Sequence, residues 1–141
     1  MVGKMETFIM FLTGGVIYFY FEIFVRGYSH ISMFLLGGVC FSVVGKMGEF
    51  ILKQRIAMRY RLALIMLSAS CIITVLELIT GIIVNKYMDL LVWDYSSMQF
   101  NYMGQICLLY SLLWALLGLP CVFLYSIINR FVIEVDGERV A

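Results

Sequence analysis

The sequence has little charge, a single proline and a single histidine. Only 13% of its 141 residues are Asp, Glu, Lys or Arg, whereas a typical soluble domain has about 25%. At the same time, 63% of the residues are hydrophobic. Because so few charges cannot cover the surface of a folded chain in water, the composition excludes an ordinary soluble domain. A lipid bilayer is the solvent that suits such a chain.

Other scarce features exclude further classes of protein. Ten Lys and Arg residues balance nine Asp and Glu residues, so no excess of charge suggests nucleic acid as a partner. The four cysteines lie in apolar runs and have neither CxxC nor zinc-finger spacing, so we interpret them as small buried hydrophobic residues. One histidine cannot complete a usual metal site. We therefore predict no metal and no cofactor.

Four apolar runs are long enough to cross a bilayer, which takes about 20 helical residues. They lie at about residues 7–25, 31–51, 62–84 and 104–128. These runs predict an all-α polytopic membrane protein, with four transmembrane helices in a compact bundle of two similar helical hairpins. Residues 1–141 are expected to form a single transmembrane domain. Its charged tail, residues 130–141, is expected to have little fixed structure.

The loop between the second and third spans is the most basic part of the chain. It contains Lys53, Arg55, Arg59 and Arg61. The loops after the first and third spans carry only Arg26 and Lys86. Because excess Lys and Arg marks the cytoplasmic side, the basic loop and both termini are predicted to be cytoplasmic. A docking site for a cytoplasmic partner or for anionic lipid headgroups is the alternative interpretation of this loop.

Residues 85–103 combine aromatic and polar side chains. This composition is typical of the headgroup region, where Trp and Tyr rings are half hydrated. The segment is compatible with a short helix lying in the interface or with a partly re-entrant turn. We therefore predict an interfacial aromatic loop between the third and fourth helices.

Each span has a stripe of small and polar residues at a spacing of three or four, which predicts the face that contacts other helices. The stripes are Gly14, Tyr18, Glu22 and Arg26; Gly38, Ser42, Gly45 and Glu49; Ser70, Thr74, Glu77 and Gly81; and Gly104, Cys107, Ser111, Ala115 and Gly118. Close packing of the bundle accounts for the small residues, whereas the carboxylates need partners.

Glu22 and Glu77 lie within spans, where a charge costs on the order of 3 kcal/mol. Arg26 follows Glu22 by four residues, the favourable order for a helical ion pair, so a structural salt bridge explains Glu22. Glu77 has no base on its own helix, so it is either protonated or bonded to another element. The candidate partners are Arg26, His30, Lys86, Gln105 and Asn101. An unpaired acid at this depth is a functional-site candidate, and a structural hydrogen bond between helices is the alternative.

Three polar residues near the outer ends have structural interpretations. His30 is expected to cap a helix or lie in the interface rather than ligate a metal. Asp94 begins a short turn, where it is expected to cap exposed N–H groups. Gln105 is placed to hydrogen-bond either Glu77 or the loop.

More specific motifs lie at residues 14–38, 76–85 and 92–114, with W-D-Y-S, F-N and G-Q-I-C in the last segment. With these motifs the chain resembles the bacterial family of ABC-transporter type IV, or CmpB-like, membrane proteins over most of its length. The resemblance implies a permease-like component of the bacterial cytoplasmic membrane. It implies no substrate, and the chain itself contains no recognisable nucleotide-binding domain or coupling helix.

The first functional hypothesis is a small transport component that binds a small ligand at a polar site near the outer leaflet. The proposed ligand-binding residues are Glu77, Glu22, Arg26, His30, Asp94, Tyr18, Trp93 and Gln105, with Tyr95 and Trp114 as further aromatic walls. An acid beside aromatic rings suits a cation. Because four helices enclose little space, a passage is expected between two copies in a homodimer.

The second hypothesis is a scaffold that recruits a partner helix or a lipid and transports nothing. In that case the polar residues only lock the outer loop to the bundle. An enzyme is the least favoured function, because the sequence has no recognisable nucleophile–base pair, metal-binding pair or paired aspartates.

Overall fold

The computed structural model describes residues 2–140, with side chains from residue 3 to residue 135. It contains the helices α1 (Val2–Arg26), α2 (Ile31–Leu52), α3 (Met58–Gly81) and α4 (Leu108–Val140). Each helix is long and apolar enough to cross a membrane. The predicted all-α fold with four membrane helices is therefore confirmed.

A short turn joins α1 to α2 and is fixed at both ends by local hydrogen bonds. Gly27 has a φ of +80° and donates its backbone N–H to the carbonyl of Ile23 at 2.8 Å, which ends α1. Nδ1 of His30 accepts the backbone N–H of Ser32 at 3.2 Å and so caps α2. The predicted capping role of His30 is confirmed.

Glycines allow α2 to approach both of its neighbours closely. A Cβ atom on Gly14 of α1 would overlap Phe41 of α2, and one on Gly37 of α2 would overlap Tyr18 of α1. Gly45 of α2 lies directly against the ring of Tyr125 on α4 in the same way. Small residues at membrane-helix contacts bring backbones together and increase van der Waals packing. The central helix of the bundle is therefore α2.

Polar side chains join α3 to α4. The hydroxyl of Ser70 donates to the backbone carbonyl of Ser111 at 2.7 Å, and that of Thr74 donates to the Ser111 hydroxyl at 2.9 Å. These residues belong to the stripes predicted for the third and fourth spans. By contrast, α1 touches α4 along a short stretch only, and a cleft opens between these two helices.

The segment between α3 and α4 is a loop with two short strands, and the short helix considered for it does not form among residues 88–107. A π-helical turn, Ile82–Tyr87, extends α3. An irregular segment follows this turn. Two short antiparallel strands, β1 (Asn101–Tyr102) and β2 (Ile106–Cys107), precede α4. Gly104 between them has a φ of +69°, which breaks the helical pattern that its sequence stripe suggested. The fourth helix therefore begins at Leu108 rather than at residue 104.

We call residues 88–107 the aromatic loop and the end of the bundle that carries it the aromatic end. The opposite end, with residues 53–57 and the beginning of α1, is called the basic end. Val92 and Trp93 of the aromatic loop are buried against Met33 and Leu36 of α2 and Val84 of the π-helical turn. The loop thus folds back onto the helices instead of extending away from them.

The tail predicted to lack fixed structure is helical as far as Val140. Once a helix is formed, each further residue adds a hydrogen bond at little cost, so α4 continues past its apolar segment. The side chains of residues 136–140, including Asp136, Glu138 and Arg139, lie outside the described side chains.

We expect Gly45→Ala to destabilise the bundle by about 1–3 kcal/mol, because the added methyl group would overlap the fully buried ring of Tyr125. Thermal unfolding in detergent measures this change. Gly3→Ala is the matched control, since nothing lies within 4 Å of its added Cβ atom. Equal melting temperatures for the two variants would contradict the proposed packing of α2 on α4.

Candidate functional site

The buried carboxyl group of Glu77, on α3, is the centre of the candidate site. Its side chain is only 2% exposed. Oε1 accepts a hydrogen bond from the hydroxyl of Tyr95 at 3.0 Å, and Oε2 accepts one from the indole N–H of Trp114 at 3.0 Å. No salt bridge to Glu77 occurs among residues 3–135. The carboxyl group is therefore bonded by two donors, neither of which carries a charge.

The donors considered for Glu77 from the sequence were wrong. Arg26, His30, Gln105 and Asn101 all donate to or accept from other groups, and Lys86 is exposed. Tyr95 reaches Glu77 because the aromatic loop folds back, with the Tyr95 N–H bonded to the carbonyl of Gly104 at 2.7 Å. Trp114 reaches it across the α3–α4 contact. A linear sequence reveals neither of these approaches.

Aromatic rings form a continuous row beside Glu77. Tyr95 stacks on Tyr110 with ring centroids 4.6 Å apart and an interplanar angle of 12°. Tyr110 lies 6.1 Å from Trp114, which lies 6.3 Å from Tyr18 on α1. Three of the four predicted aromatic wall residues are therefore in this row. Tyr110 was missed, although its position four residues before Trp114 places it on the same helix face.

Burial raises the pKa of Tyr95 above its ordinary value, and the neighbouring carboxyl group of Glu77 raises it further. The hydroxyl group of Tyr95 therefore keeps its proton at physiological pH. The protonated hydroxyl group is the form that donates the hydrogen bond to Oε1 of Glu77.

Glu77 lines a cleft of about 260 Å³ between α1 and α4. Most residues that line the cleft are apolar, and Glu77 is the one carboxylate among them. Ile17 and Phe21 of α1 and Leu117 of α4 form its rim and are 46%, 47% and 37% exposed. Because these exposed apolar residues lie at membrane depth, the cleft opens toward the hydrocarbon.

Glu22 and Arg26 form a separate ion pair near the aromatic end. Nη1 of Arg26 lies 3.0 Å from Oε1 of Glu22, as the spacing of four predicted. The Ser29 hydroxyl donates to the other oxygen of Glu22 at 3.2 Å. Nη2 of Arg26 also donates to the carbonyl of Val92 at 2.6 Å and to the Tyr28 hydroxyl at 2.9 Å. This pair ties the α1–α2 turn to the aromatic loop.

Asn85 and Gln105 lock the aromatic loop from the other side. Nδ2 of Asn85 donates to Oε1 of Gln105 at 2.8 Å, and Oδ1 of Asn85 accepts the N–H of Val92 at 2.7 Å. The indole N–H of Trp93 donates to the carbonyl of Gln105 at 3.0 Å. Gln105 thus bonds the loop rather than Glu77. Asn85 was not predicted from the sequence, although an amide at the end of an apolar span is a signal for a residue that hydrogen-bonds the adjoining loop.

Asp94 lies outside the cleft and is exposed. Its Oδ1 accepts the hydroxyl of Ser96 at 2.5 Å and the backbone N–H of Ser96 at 2.8 Å. These two hydrogen bonds hold the pKa of Asp94 below its ordinary value. The predicted capping role is confirmed.

The eight predicted site residues therefore fall into distinct groups. Glu77 and Tyr18 line the cleft together. Glu22 pairs with Arg26, and Trp93 and Gln105 belong to the loop contacts. His30 and Asp94 cap local backbone. Within the described residues, no three His, Cys, Asp or Glu side chains come together as a metal-binding group.

A second polar cluster, which the sequence analysis also missed, lies at the basic end. Nδ2 of Asn129 donates to both carboxylate oxygens of Glu49 at 3.1 and 3.2 Å. The hydroxyl of Tyr125 donates to Glu6 at 3.3 Å. These bonds join α4 to α2 and α1.

The match to a protein family covers almost the whole chain. A family model described as "Putative ABC-transporter type IV" matches residues 7–139. The chain belongs to this family. The resemblance noted from its motifs is confirmed, and the match includes all four helices and the aromatic loop of this ABC-transporter type IV protein. No curated protein and no solved structure matches the chain.

Together with its four apolar helices, the family match identifies an integral membrane protein. The description of the family names an ABC-type transporter.

We expect Asn85→Ala to loosen the aromatic loop, because it leaves the buried N–H of Val92 and the amide oxygen of Gln105 without their partner. A loss of about 1–3 kcal/mol in local stability is expected for such unpaired groups. Hydrogen exchange of residues 88–107 measures the change. Gln99→Ala is the control, since Gln99 is exposed and makes no side-chain hydrogen bond in the described structure. Unchanged protection in Asn85→Ala would show that the loop is held elsewhere.

Proposed function

We propose that this protein is a permease-like membrane component of a transport system and binds a small amphiphilic ligand in the cleft between α1 and α4. Glu77 anchors the cationic group of the ligand, and the apolar walls hold its hydrocarbon part. The family classification supports the transport role. The position of Glu77 in the wall of the cleft supports the binding role.

The observation that carries this proposal is a buried carboxyl group with only neutral donors, beside open apolar space. Burying a carboxylate without a countercharge is costly, whereas a cation placed beside it restores part of the lost solvation. Trp114 and Tyr18 present aromatic rings to the same space. Such rings attract a cation that has lost its water. The site therefore favours a positively charged group over a neutral or anionic one.

The exposed rim of the cleft indicates the route of entry. Ile17, Phe21 and Leu117 face the hydrocarbon, so a ligand with an apolar part enters sideways from the bilayer. The volume of about 260 Å³ is near the lower end of small-molecule pockets. A short alkyl or aromatic amine suits this volume better than a complete lipid.

The charge distribution supports an orientation for the proposed transport. The basic loop and both termini are cytoplasmic under the positive-inside rule, which places the aromatic end outside the bacterial cytoplasmic membrane. Glu77 belongs to the half of α3 nearer the aromatic end, so ligand binding occurs toward the outer leaflet. Because four helices enclose little space, a second copy completes the route in a homodimer.

A scaffold without transport is the second candidate, and one observation favours it. Both oxygens of Glu77 already accept hydrogen bonds, as a purely structural carboxyl group requires. In that case Glu77 only joins the aromatic loop to α3 and α4. The two candidate functions differ in whether a ligand binds in the cleft and changes the fluorescence of Trp114.

We expect alkyltrimethylammonium ions to bind the protein saturably and alkyl sulfates of equal chain length not to bind. Fluorescence of Trp114 in a Trp93→Phe background, in lipid nanodiscs, reports on the cleft. Glu77→Gln should weaken the response at least tenfold, because it removes the charge that attracts the cation. Glu49→Gln is the matched control, since Glu49 is also intramembrane but bonds Asn129 away from the cleft.

Two results would contradict ligand binding at Glu77. One is a fluorescence response of Glu77→Gln equal to that of the unsubstituted protein. The other is a lower melting temperature for Glu77→Gln together with no fluorescence response to ligand in any of the proteins, which is the result that a scaffold predicts. Should Glu77→Gln fail to fold, Ile17→Phe replaces it, since it adds no second tryptophan to the fluorescence. That substitution narrows the rim without touching the hydrogen bonds of Glu77 and should also reduce binding.

A further inference from the structure

A second groove lies between α3 and α4 at the basic end of the bundle. Its volume is about 550 Å³. Apolar side chains of α3 and α4 form its walls, including Leu62 and Ile65 on α3 and Leu119 and Phe123 on α4. Arg130 lies at its end and is the one charged residue among its lining residues. The groove is therefore apolar along its length and cationic at one end.

We propose that this groove binds one anionic phospholipid of the cytoplasmic leaflet, with an acyl chain between α3 and α4 and the phosphate at Arg130. This site is separate from the Glu77 cleft, and the proposal does not depend on the transport function. Three features of the groove carry it: its length, its charge and the fact that no Asp or Glu is among its lining residues.

The length of the groove matches one leaflet. From Leu119 to Arg130, α4 rises by about 16 Å at 1.5 Å per residue. Half of the hydrocarbon core of a bilayer is about 15 Å. When Arg130 lies at the headgroup level, the groove therefore reaches the middle of the membrane, as an acyl chain does.

The cationic end of the groove is open to a ligand. Arg130 is exposed and makes no salt bridge or side-chain hydrogen bond among residues 3–135, although Glu134 follows it by four residues. A guanidinium group presents several N–H donors whose geometry matches two phosphate oxygens. The side chain of Arg130 can therefore bond a phosphate without first breaking a bond to another described residue.

The basic loop increases the positive charge at the same end. Nε and Nη1 of Arg61 donate to the carbonyls of Ile56 and Leu52, each at 3.0 Å, so its guanidinium group is held at the end of α2. Leu52 is itself a wall of the groove. Lys53 and Arg55 are exposed nearby in the chain. Basic residues at a membrane surface contribute about 1 kcal/mol each to attraction of anionic lipid.

Two half-buried acids near this end, Glu49 and Glu6, are already bonded. Glu49 accepts two hydrogen bonds from Asn129, and Glu6 accepts one from Tyr125. Neither carboxylate lines the groove. A second copy of the chain fits the groove less well than a lipid, because it would bring two sets of Arg130 and basic-loop charges together. The charge distribution therefore favours an anionic lipid over self-association.

Native mass spectrometry of the full chain, released from nanodiscs, tests the proposal. The probes are phosphatidylglycerol and phosphatidylcholine with identical acyl chains. We expect one phosphatidylglycerol to be retained per chain and phosphatidylcholine to be lost. Arg130→Gln should reduce retention about fivefold, the factor that corresponds to about 1 kcal/mol for one basic residue. Lys86→Gln, which removes an exposed cation at the aromatic end, should leave retention unchanged.

A second variant separates occupation of the groove from attraction to charge alone. Ser126→Trp fills the groove while keeping every basic residue. It should displace the bound phosphatidylglycerol and leave the monomer folded. Each of the following results would overturn the proposal. One is unchanged retention of phosphatidylglycerol in Ser126→Trp or in Arg130→Gln, and another is equal retention of the two lipids. A third is a dimer that is cross-linked through Ser126→Cys. Should Arg130→Gln fail to fold, the Ser126→Trp result alone decides.

Discussion

Hydrocarbon offers no hydrogen bonds, so polar groups within the bundle depend on partners inside the protein. Among the described residues, the Ser42 hydroxyl and Oδ1 of Asn129 are the buried side-chain atoms that lack one. Helices satisfy the backbone, but the polar side chains need other elements. Asn85 and Gln105 bond one another and the aromatic loop, and Glu77 takes its donors from that loop and from α4. The loop is consequently part of the folded bundle rather than a flexible link between spans.

The same constraint explains where the bundle is tight and where it is open. Without a hydrophobic driving force between helices, association depends on close packing, which the glycines of α2 provide against α1 and α4. The contact between α1 and α4 lacks comparable closeness. A cleft remains there, and it ends at the carboxyl group of Glu77, whose two donors are both uncharged. The close packing of α2 against α1 and α4 and the cleft between α1 and α4 thus have the same cause, which is the position of the glycines.

The two cavities have opposite character. The cleft beside Glu77 has an acid and aromatic rings toward the aromatic end, whereas the α3–α4 groove has Arg130 at the basic end. Pro120 lines both cavities. Because proline lacks a backbone N–H, it leaves one carbonyl of α4 without its helical partner and is a point where a helix bends easily. The position of this residue places that weak point of α4 between the two proposed ligands.

The sequence by itself determined features that depend on neighbours along one helix or on composition. Long apolar runs predicted four helices, the spacing of four residues predicted the Glu22–Arg26 pair, and local motifs predicted the family and the caps at His30 and Asp94. Tertiary structure decided the partners of Glu77, the contacts of Asn85 and the bond between Glu49 and Asn129. These depend on how a loop folds back and which helix faces meet, and residues tens of positions apart carry no local signal of such contacts.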